Sequence, residues 1–398
     1  MKKPLVRIIV FMIFLLFLNI SYASNLNKCN SIHDIFNSFR VNNKITGMAL
    51  YVHSPKLKIN ACYLFSGTVH KNTREPISDN NLWQIASITK SYFSSILLQL
   101  EAKSQAGEIP IDFNINQSIK HWLPQYPKWG GVTIKQLLNM TSGIYSYTEL
   151  PISKMVLENP QKVWKLNEVT SLAYNHIPNA YFPPGKGWHY TDTAYVIAGQ
   201  IIEKAYQNIT GKNIPLRSIL RQSILGKFKL DNTYYYPEGL PNKLLTRMVH
   251  GYNYYTEQDF TEENLSIAGP SGGIISNPKE VAYWIESLFN GKVLPKKQMK
   301  EMVSLVSIKT GQPVVTTETS IVPAYSLGLT EQYSKKLGEV WVYEGVSSGY
   351  TAGYFYVPKY DTIISYTASI GSIKNNPLQF SQLAKEVLLS TLNETQHP

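Results

Sequence analysis

Cysteine is scarce in this chain, with only Cys29 and Cys62 among 398 residues. This scarcity excludes a small disulfide-rich scaffold, and no Cys or His spacing is typical of a metal site. In an exported protein, a pair of cysteines favours one disulfide, which here would tie an N-terminal helix to an early strand. Two free buried cysteines are the alternative.

Runs of one charge, internal repeats and low-complexity segments are also missing. The 38 Lys and Arg residues outnumber the 27 Asp and Glu residues, a formal net charge of +11, but they are scattered along the chain. A nucleic-acid-binding surface needs clustered cations, so we expect no nucleic-acid partner. A chain of this length exceeds the usual size of a single core, so we expect a two-lobed body.

One long apolar run opens the chain. Three basic residues precede the uninterrupted apolar segment Ile8–Leu18, which is too short to span a bilayer comfortably. Ser21-Tyr22-Ala23 then has the small-x-small pattern of a cleavage site. We therefore predict a signal peptide at residues 1–23 and an exported, periplasmic or secreted protein that touches the membrane only through this segment. An uncleaved anchor is the alternative.

The hydrophobic pattern predicts one sheet that both ends of the chain build. Early strands are predicted at 47–53 and 61–65, late strands at 339–343, 354–357 and 362–369, and a last helix at about 378–392. Between them, apolar residues recur with a period of 3.6. We predict an α/β (α+β) fold with an antiparallel sheet flanked by helices. Its sheet lobe comprises about residues 40–100 and 265–398, and a mostly helical lobe at about 101–264 is inserted.

Ser87 and Lys90 stand three residues apart, where an extended segment gives way to a helix. Apolar residues from Phe93 to Leu100 recur on one helix face, which predicts that Ser87 lies in the first turn. Helix side chains lean toward the N-terminus, so Lys90 would reach the Ser87 hydroxyl and, if buried, act as its base. The alternative is an N-cap serine with a solvated lysine.

A second Ser-x-x-Lys copy, Ser276 to Lys279, shows how little this spacing means alone. Asn277 is typical of an N-cap, Pro278 of a first helical residue and Glu280 of a capping partner. We interpret this copy as a structural helix start.

Tyr190 and Asp192 follow a Pro-Pro-Gly loop and precede a predicted helix. In one interpretation, Asp192 caps that helix and Tyr190 is an ordinary aromatic residue. In the other, Tyr190 faces Ser87 and Lys90, and the nearby ammonium eases its deprotonation. Tyr190 could then pass protons to and from the serine and the leaving group.

With Ser87-x-x-Lys90 and Tyr190-x-Asp192 in this order, the chain resembles the serine hydrolases of the class C β-lactamase and D-alanyl-D-alanine carboxypeptidase family. The similarity covers roughly residues 45–390 and includes segments 132–144 and 268–276. The resemblance implies a β-lactamase/transpeptidase-like fold and an acyl-enzyme mechanism without a metal or organic cofactor. It also implies a small-molecule or peptide substrate, with cell-wall peptides among the candidates.

The same resemblance assigns roles to four residues. Ser87 is the implied nucleophile, Lys90 its base or proton relay, and Tyr190 the general base and acid. Asp192 stands where the family usually has Asn. Because an ionised Asp can only accept hydrogen bonds, it would pair with a charged Lys90 and shift the role of base toward Tyr190.

The third family motif, normally Lys-Thr-Gly or His-x-Gly on a strand, aligns with residues 343–345. The retained Gly345 would let the backbone approach the substrate, and the N–H groups of Ser87 and Val346 would form the oxyanion hole. Tyr343 replaces the cation and offers only a neutral hydrogen bond to a substrate. We therefore expect weak binding of β-lactams and of free D-Ala carboxyl termini.

Three smaller features admit other interpretations. Residues 345–349 spell Gly-x-Ser-x-Gly, the nucleophile elbow of α/β-hydrolases, but that motif requires a helix after the serine and a strand is predicted here. His189 could be proposed as a triad histidine, although stacking near Trp188 is favoured. Met140 replaces the histidine usual before Thr-Ser-Gly in the family.

Three hypotheses follow. The first is an exported serine hydrolase that cleaves an amide or ester through an acyl-Ser87 intermediate, like the carboxypeptidases, D-aminopeptidases and esterases of this family. The second is a catalytically weak protein that binds envelope peptides on the same fold, which the lost cation motivates. The third is a true class C-like β-lactamase.

Overall fold

The structure is a computed structural model that describes residues 28–159, 162–315, 323–372 and 378–393. The predicted signal peptide at residues 1–23 lies outside these ranges. Within them, no helix combines the length and the apolar character needed to cross a bilayer.

An eight-stranded antiparallel sheet forms the centre of the molecule. The strands are β1 Gly47–Ser54, β2 Ile59–Gly67, β3 Trp83–Gln84, β4 Tyr234–Tyr235, β5 Tyr252–Asn253, β6 Ile274–Ser276, β7 Val306–Ser307, β8 Ala324–Tyr325, β9 Thr330–Ser334, β10 Gly338–Val346, β11 Thr351–Val357, β12 Thr362–Ala368 and β13 Ile370–Gly371. The strand order of the sheet is β2-β1-β12-β11-β10-β9-β8-β7, so an early strand, β1, pairs with a late one, β12, next to the edge strand β2. The predicted fold class is confirmed.

Helices cover both faces of this sheet. They are α1 at 28–42, α2 Thr89–Gln105, α3 Ile119–Trp122, α4 Ile134–Leu138, α5 Ile152–Glu158, α6 Leu166–Tyr174, α7 Asp192–Thr210, α8 Leu216–Leu220, α9 Asn242–Leu245, α10 Pro278–Phe289, α11 Lys296–Met302 and α12 Phe380–Asn393. Neighbouring residues of β12 point to opposite faces, so Ile364 packs with α1 and α12 while Ile363 packs with α2 and α10. The lobe boundaries given above remain a prediction.

Helix α2 is the central helix of the larger core. Phe93, Ile96, Leu97 and Leu100 are all buried, as their spacing predicts. The predicted start of the helix was wrong, however, because Ser87 lies in a 3₁₀ turn, Ala86–Ile88, that precedes α2. Ala86 has a φ of 44°, which an α-helical turn cannot contain.

The second Ser-x-x-Lys copy is a helix start. Asn277 caps α10 by accepting a hydrogen bond from the Glu280 N–H at 2.9 Å, with Pro278 in the first turn. The predicted capping role of the Glu280 side chain was wrong. Its carboxylate accepts instead from the Asn232 N–H at 2.8 Å and the Thr233 hydroxyl at 2.6 Å.

Cys29 and Cys62 form a disulfide that joins α1 to β2, with a Cα–Cα distance of 5.6 Å. The preferred pairing is confirmed, and the alternative of two free cysteines was wrong. The bond closes a loop with a sequence separation of 33 residues between the first helix and the edge strand of the sheet.

Candidate active site

Ser87 lies in the 3₁₀ turn that enters α2, and strand β10 passes directly beside this turn. A Cβ on Gly345 would lie 2.4 Å from the Ile85 carbonyl oxygen and 2.9 Å from the Ser87 nitrogen. Only glycine lets the two backbones approach this closely. The structure shows that Gly345 lets the strand approach the Ser87 turn, and its part in the approach of a substrate stays a prediction. Val346 follows it at the end of β10.

Lys90 is completely buried, and its ammonium group donates three hydrogen bonds. The acceptors are Ser87 Oγ at 3.0 Å, Asp192 Oδ1 at 2.6 Å and the Ser271 carbonyl oxygen at 2.7 Å. These three bonds use every hydrogen of the group and exclude the alternative of a solvated lysine. Ser271 lies within a segment used for the resemblance, but no side-chain chemistry marked its carbonyl as a ligand of Lys90.

Asp192 is the first residue of α7, and Thr191 occupies the N-cap position without a side-chain capping bond. The interpretation of Asp192 as the cap is therefore wrong. Its carboxylate is 18% exposed and forms an ion pair with Lys90. A buried ammonium needs such a partner, and Asp192 provides it.

Tyr190 donates a hydrogen bond to Ser87 Oγ at 2.7 Å, and its ring lies 4.8 Å from the Lys90 ammonium. The expectation that Lys90 eases its deprotonation was wrong. Burial, followed by the negative charge of Asp192, raises the pKa of Tyr190 well above its ordinary value. The hydrogen bonds with Ser87 and Tyr343 lower it without reversing this effect. Tyr190 therefore holds its proton in the resting site.

Tyr343 is buried, and its hydroxyl lies 3.3 Å from that of Tyr190 and 3.0 Å from that of Tyr325. The residue predicted to contact substrate is thus part of a row of three tyrosine hydroxyl groups that ends at Ser87. Sequence reasoning missed Tyr325, which comes from the two-residue strand β8 and carries no motif.

The remaining features of the sequence lie around this cluster. Strand β11 follows Ser347, so the elbow interpretation is wrong. His189 stacks on Tyr181 with ring centroids 3.8 Å apart, not on Trp188 as expected, and its Nδ1 lies 3.0 Å from the Tyr190 carbonyl oxygen. Its Nε2 lies 3.4 Å from Glu149. The described contacts of the His189 ring are therefore with residues of neighbouring loops, as in a structural role, and not with Ser87, as a catalytic triad would require. Met140 Sδ accepts a bond from the Thr191 N–H at 3.4 Å.

A cavity of about 430 Å³ opens beside Tyr190 and Tyr343. Its lining is rich in aromatic and apolar residues, among them Trp188, Tyr325 and Ile308, and it also contains the carboxyl group of Glu344. Among the described residues that line it there is no Lys or Arg. The described lining therefore offers no cation that could pair with a carboxylate.

An antiparallel sheet between helices, with a serine in the turn that enters a buried helix, a lysine in the first turn of that helix and a tyrosine opposite them, defines the serine hydrolases of the β-lactamase/transpeptidase fold. The Beta-lactamase family model matches residues 34–378, and the chain belongs to this family. The resemblance stated from the sequence is confirmed.

Known proteins similar to this chain include a penicillin-binding protein, an amidohydrolase and an amidase. A penicillin-binding protein of Bacillus subtilis (strain 168) is 22% identical over 336 residues, which is 82% of this chain and 68% of that protein. The structure of a D-stereospecific amidohydrolase from Streptomyces sp. is 24% identical, covers 90% of this chain and 97% of its own, and has a TM-score of 0.72. A D-amino acid amidase from Ochrobactrum anthropi SV3, complexed with L-phenylalanine amide, is 23% identical, with coverage of 93% and 99% and a TM-score of 0.73. These structural likenesses establish the fold.

Proposed function

We propose that this protein is an exported serine hydrolase that cleaves an amide or ester through an acyl-Ser87 intermediate. The observation that carries the proposal is the position of Ser87 Oγ, 3.0 Å from Lys90 Nζ and 2.7 Å from Tyr190 Oη. A nucleophilic serine needs a neighbouring group that can take its proton, and both distances allow direct proton transfer.

The proton inventory of the site favours Tyr190 as the group that moves protons. Lys90 uses all three of its hydrogens and is paired with Asp192. Tyr190 is protonated, so it would take the proton of Ser87 while it passes its own proton to the leaving nitrogen or oxygen. The Ser87 Oγ bond to the acyl carbon forms as the bond to the leaving group breaks. Water then reverses the sequence and releases the acid.

The negative charge that develops on the substrate carbonyl oxygen needs hydrogen-bond donors close to the turn that carries Ser87. We assign this role to the N–H groups of Ser87 and Val346, at the contact between the 3₁₀ turn and the end of β10. Oxyanion donors of this kind contribute about 3–4 kcal/mol each to transition-state stabilisation in comparable enzymes.

The cavity beside Tyr190 is rich in aromatic residues and has no Lys or Arg among its described lining residues, which supports a substrate with an aromatic or apolar group. A carboxylate would lack the ion pair that the usual Lys or His of the third motif supplies, because Tyr343 stands there and bonds Tyr190 and Tyr325. The Ochrobactrum amidase is complexed with phenylalanine amide, an aromatic amide, and in another structure with D-phenylalanine, the corresponding acid. We therefore propose amides or esters of this chemical class in preference to β-lactams.

The disulfide supports export, because such bonds persist in oxidising compartments. Together with the predicted signal peptide at residues 1–23, it favours a periplasmic or secreted location. Fractionation of cells that express the full chain would test this, with the protein expected outside the cytoplasm and shortened at Ala23.

Covalent labelling tests the nucleophile. The folded protein is treated with a fluorophosphonate, digested and mapped by mass spectrometry. We expect the adduct on Ser87, its loss in Ser87→Ala, and its retention in Ser347→Ala, which removes the serine of the Gly-x-Ser-x-Gly pattern. Folded wild-type protein without an adduct on Ser87 would favour the peptide-binding hypothesis, in which Ser87→Ala leaves ligand affinity unchanged.

Phenylalanine amide should be turned over faster than nitrocefin, whereas rapid nitrocefin turnover would favour a β-lactamase.

A further inference from the structure

Three side chains that can bind a metal meet away from the Ser87 site, on two separate stretches of chain. His70 follows β2, His250 precedes β5, and Asp259 lies in the loop after β5. One ligand atom from each lies within 4.8 Å of the others. His70 and His250 are far apart in the sequence, so no spacing motif could reveal this cluster.

The side chains of His250 and Asp259 are already in direct contact with each other. His250 Nδ1 lies 2.6 Å from Asp259 Oδ2, and both side chains are 37% exposed, so an ion from solvent can reach them. The other carboxylate oxygen, Oδ1, accepts bonds from the Thr261 N–H at 2.9 Å and the Thr261 hydroxyl at 2.5 Å. Such outer bonds orient a coordinating carboxylate.

His70 packs edge-on against His250 with ring centroids 4.5 Å apart. Its Nδ1 accepts a hydrogen bond from the Asn72 N–H at 3.0 Å. Coordination through either nitrogen of His70 gives up this bond, because the nitrogen that does not bind the metal must carry a proton. The bond is exposed, so its loss is a small cost against three metal–ligand bonds.

Lys71, the residue after His70, does not oppose a bound ion strongly. The Lys71 ammonium lies 3.3 Å from the Glu257 carboxylate and 4.7 Å from the centre of the Tyr252 ring. The local charge of this pair is therefore balanced, and Asp259 contributes a net negative charge.

We propose that His70, His250 and Asp259 bind one Zn²⁺ ion, with water as the fourth ligand. Two imidazoles and one carboxylate are a ligand set that Zn²⁺ takes in tetrahedral sites, whereas Mg²⁺ requires oxygen ligands. This proposal is independent of the proposed function, since it concerns other residues and another ligand.

The ion would fasten the segment 249–261 to the loop after β2. That segment supports the turn between β10 and β11, where Asn253 Nδ2 donates to the Ser348 carbonyl oxygen at 3.2 Å. A Cβ on Gly349 would lie 2.6 Å from the Gly251 carbonyl oxygen, so the two backbones are in close contact. The bound ion thus stiffens the support of the turn that follows Val346.

Isothermal titration calorimetry with ZnCl₂ tests the site, using tag-free protein stripped with EDTA. We expect one Zn²⁺ per chain and no heat with MgCl₂. His70→Ala, His250→Ala and Asp259→Ala should abolish saturable binding, and Thr261→Val should weaken it by about tenfold. His121→Ala, which removes an exposed histidine on α3, should bind like the wild type.

Thermal unfolding followed by circular dichroism separates loss of the site from loss of the fold. In EDTA, each variant should melt near the wild-type temperature. Zn²⁺ should raise the melting temperature of the wild type and His121→Ala, raise that of Thr261→Val less, and leave those of His70→Ala, His250→Ala and Asp259→Ala unchanged. Hydrogen exchange of residues 252–262 should slow on addition of Zn²⁺. Absence of binding by the wild type, or binding that survives in the folded His250→Ala and Asp259→Ala variants, would overturn the proposal.

Discussion

At the scale of single residues, Asp192 decides how protons are distributed around Ser87. The motif that the sequence resembles has Asn at this position, and here a carboxylate lies 2.6 Å from the buried Lys90 ammonium. Burial is the main cause of the raised pKa of Tyr190, and the charge of Asp192 is the second. One carboxylate therefore controls both neighbours of the serine.

We predict that Asp192→Asn moves the reactivity of Ser87 to lower pH. Removing a negative charge beside Tyr190 lowers the pKa of this tyrosine, so Tyr190 releases the proton that it passes on at a lower pH. The free energy of unfolding should fall by about 1–3 kcal/mol, since Lys90 loses a charged acceptor. The measurements are the fluorophosphonate labelling rate as a function of pH and urea unfolding. An unchanged pH profile, matching that of the surface variant Asp231→Asn, would contradict this role.

The residues around Ser87 differ in how far the sequence revealed them. Ser87, Lys90 and Tyr190 could be proposed because their chemistry is unusual and two of them lie one helical turn apart. The Ser271 carbonyl and the Tyr325 hydroxyl could not, because any residue has a carbonyl and tyrosine is common in this chain. The direction of the Tyr190 pKa shift was also missed, because the pattern gives no measure of burial.

At the scale of elements, the site depends on the contact between strand β10 and the turn that enters α2. Gly345 makes that contact possible, and the next residue is the assigned oxyanion donor Val346. The same strand carries Tyr343, whose hydroxyl bonds Tyr190. A shift of β10 would therefore disturb the oxyanion donor and the tyrosine row together.

We predict that Gly345→Ala lowers the labelling rate of Ser87 by about 100-fold. The new Cβ would meet backbone atoms of residues 85 and 87, which cannot move aside as a side chain could. Overpacking of this kind costs about 1–3 kcal/mol of stability. The labelling rate and the urea midpoint measure both effects.

Gly131→Ala is the matched control for this change, since a Cβ there meets nothing within 4 Å. It should label and unfold like the wild type. If Gly345→Ala also behaves like the wild type, the close packing of β10 against the turn is not what positions the site.

At the scale of the whole molecule, the disulfide links the start of the described chain to the sheet. Cys29 on α1 and Cys62 on β2 belong to the smaller core, on the sheet face opposite α2. The bond restricts the unfolded chain and leaves the Ser87 cluster on the other face untouched.

We predict that reduction, or the double change Cys29→Ala and Cys62→Ala, lowers the free energy of unfolding by about 3–4 kcal/mol. This magnitude follows from the entropy of closing a loop of 33 residues. Urea unfolding with and without a reductant measures the loss, and the double variant should not respond to the reductant. Equal midpoints for the oxidised and reduced wild type would contradict the prediction. Ser87 labelling should persist in the reduced, folded protein.

By itself, the sequence determined the fold class, the helix that carries Lys90 and the family resemblance. These depend on periodicity and on short motifs, which act over one or two turns of chain. Only the tertiary structure decided that Tyr190 keeps its proton, that Tyr343 bonds other tyrosines and that His70 meets His250. Each of these depends on burial and on contacts between segments distant in sequence, which only the packed sheet and helices bring together.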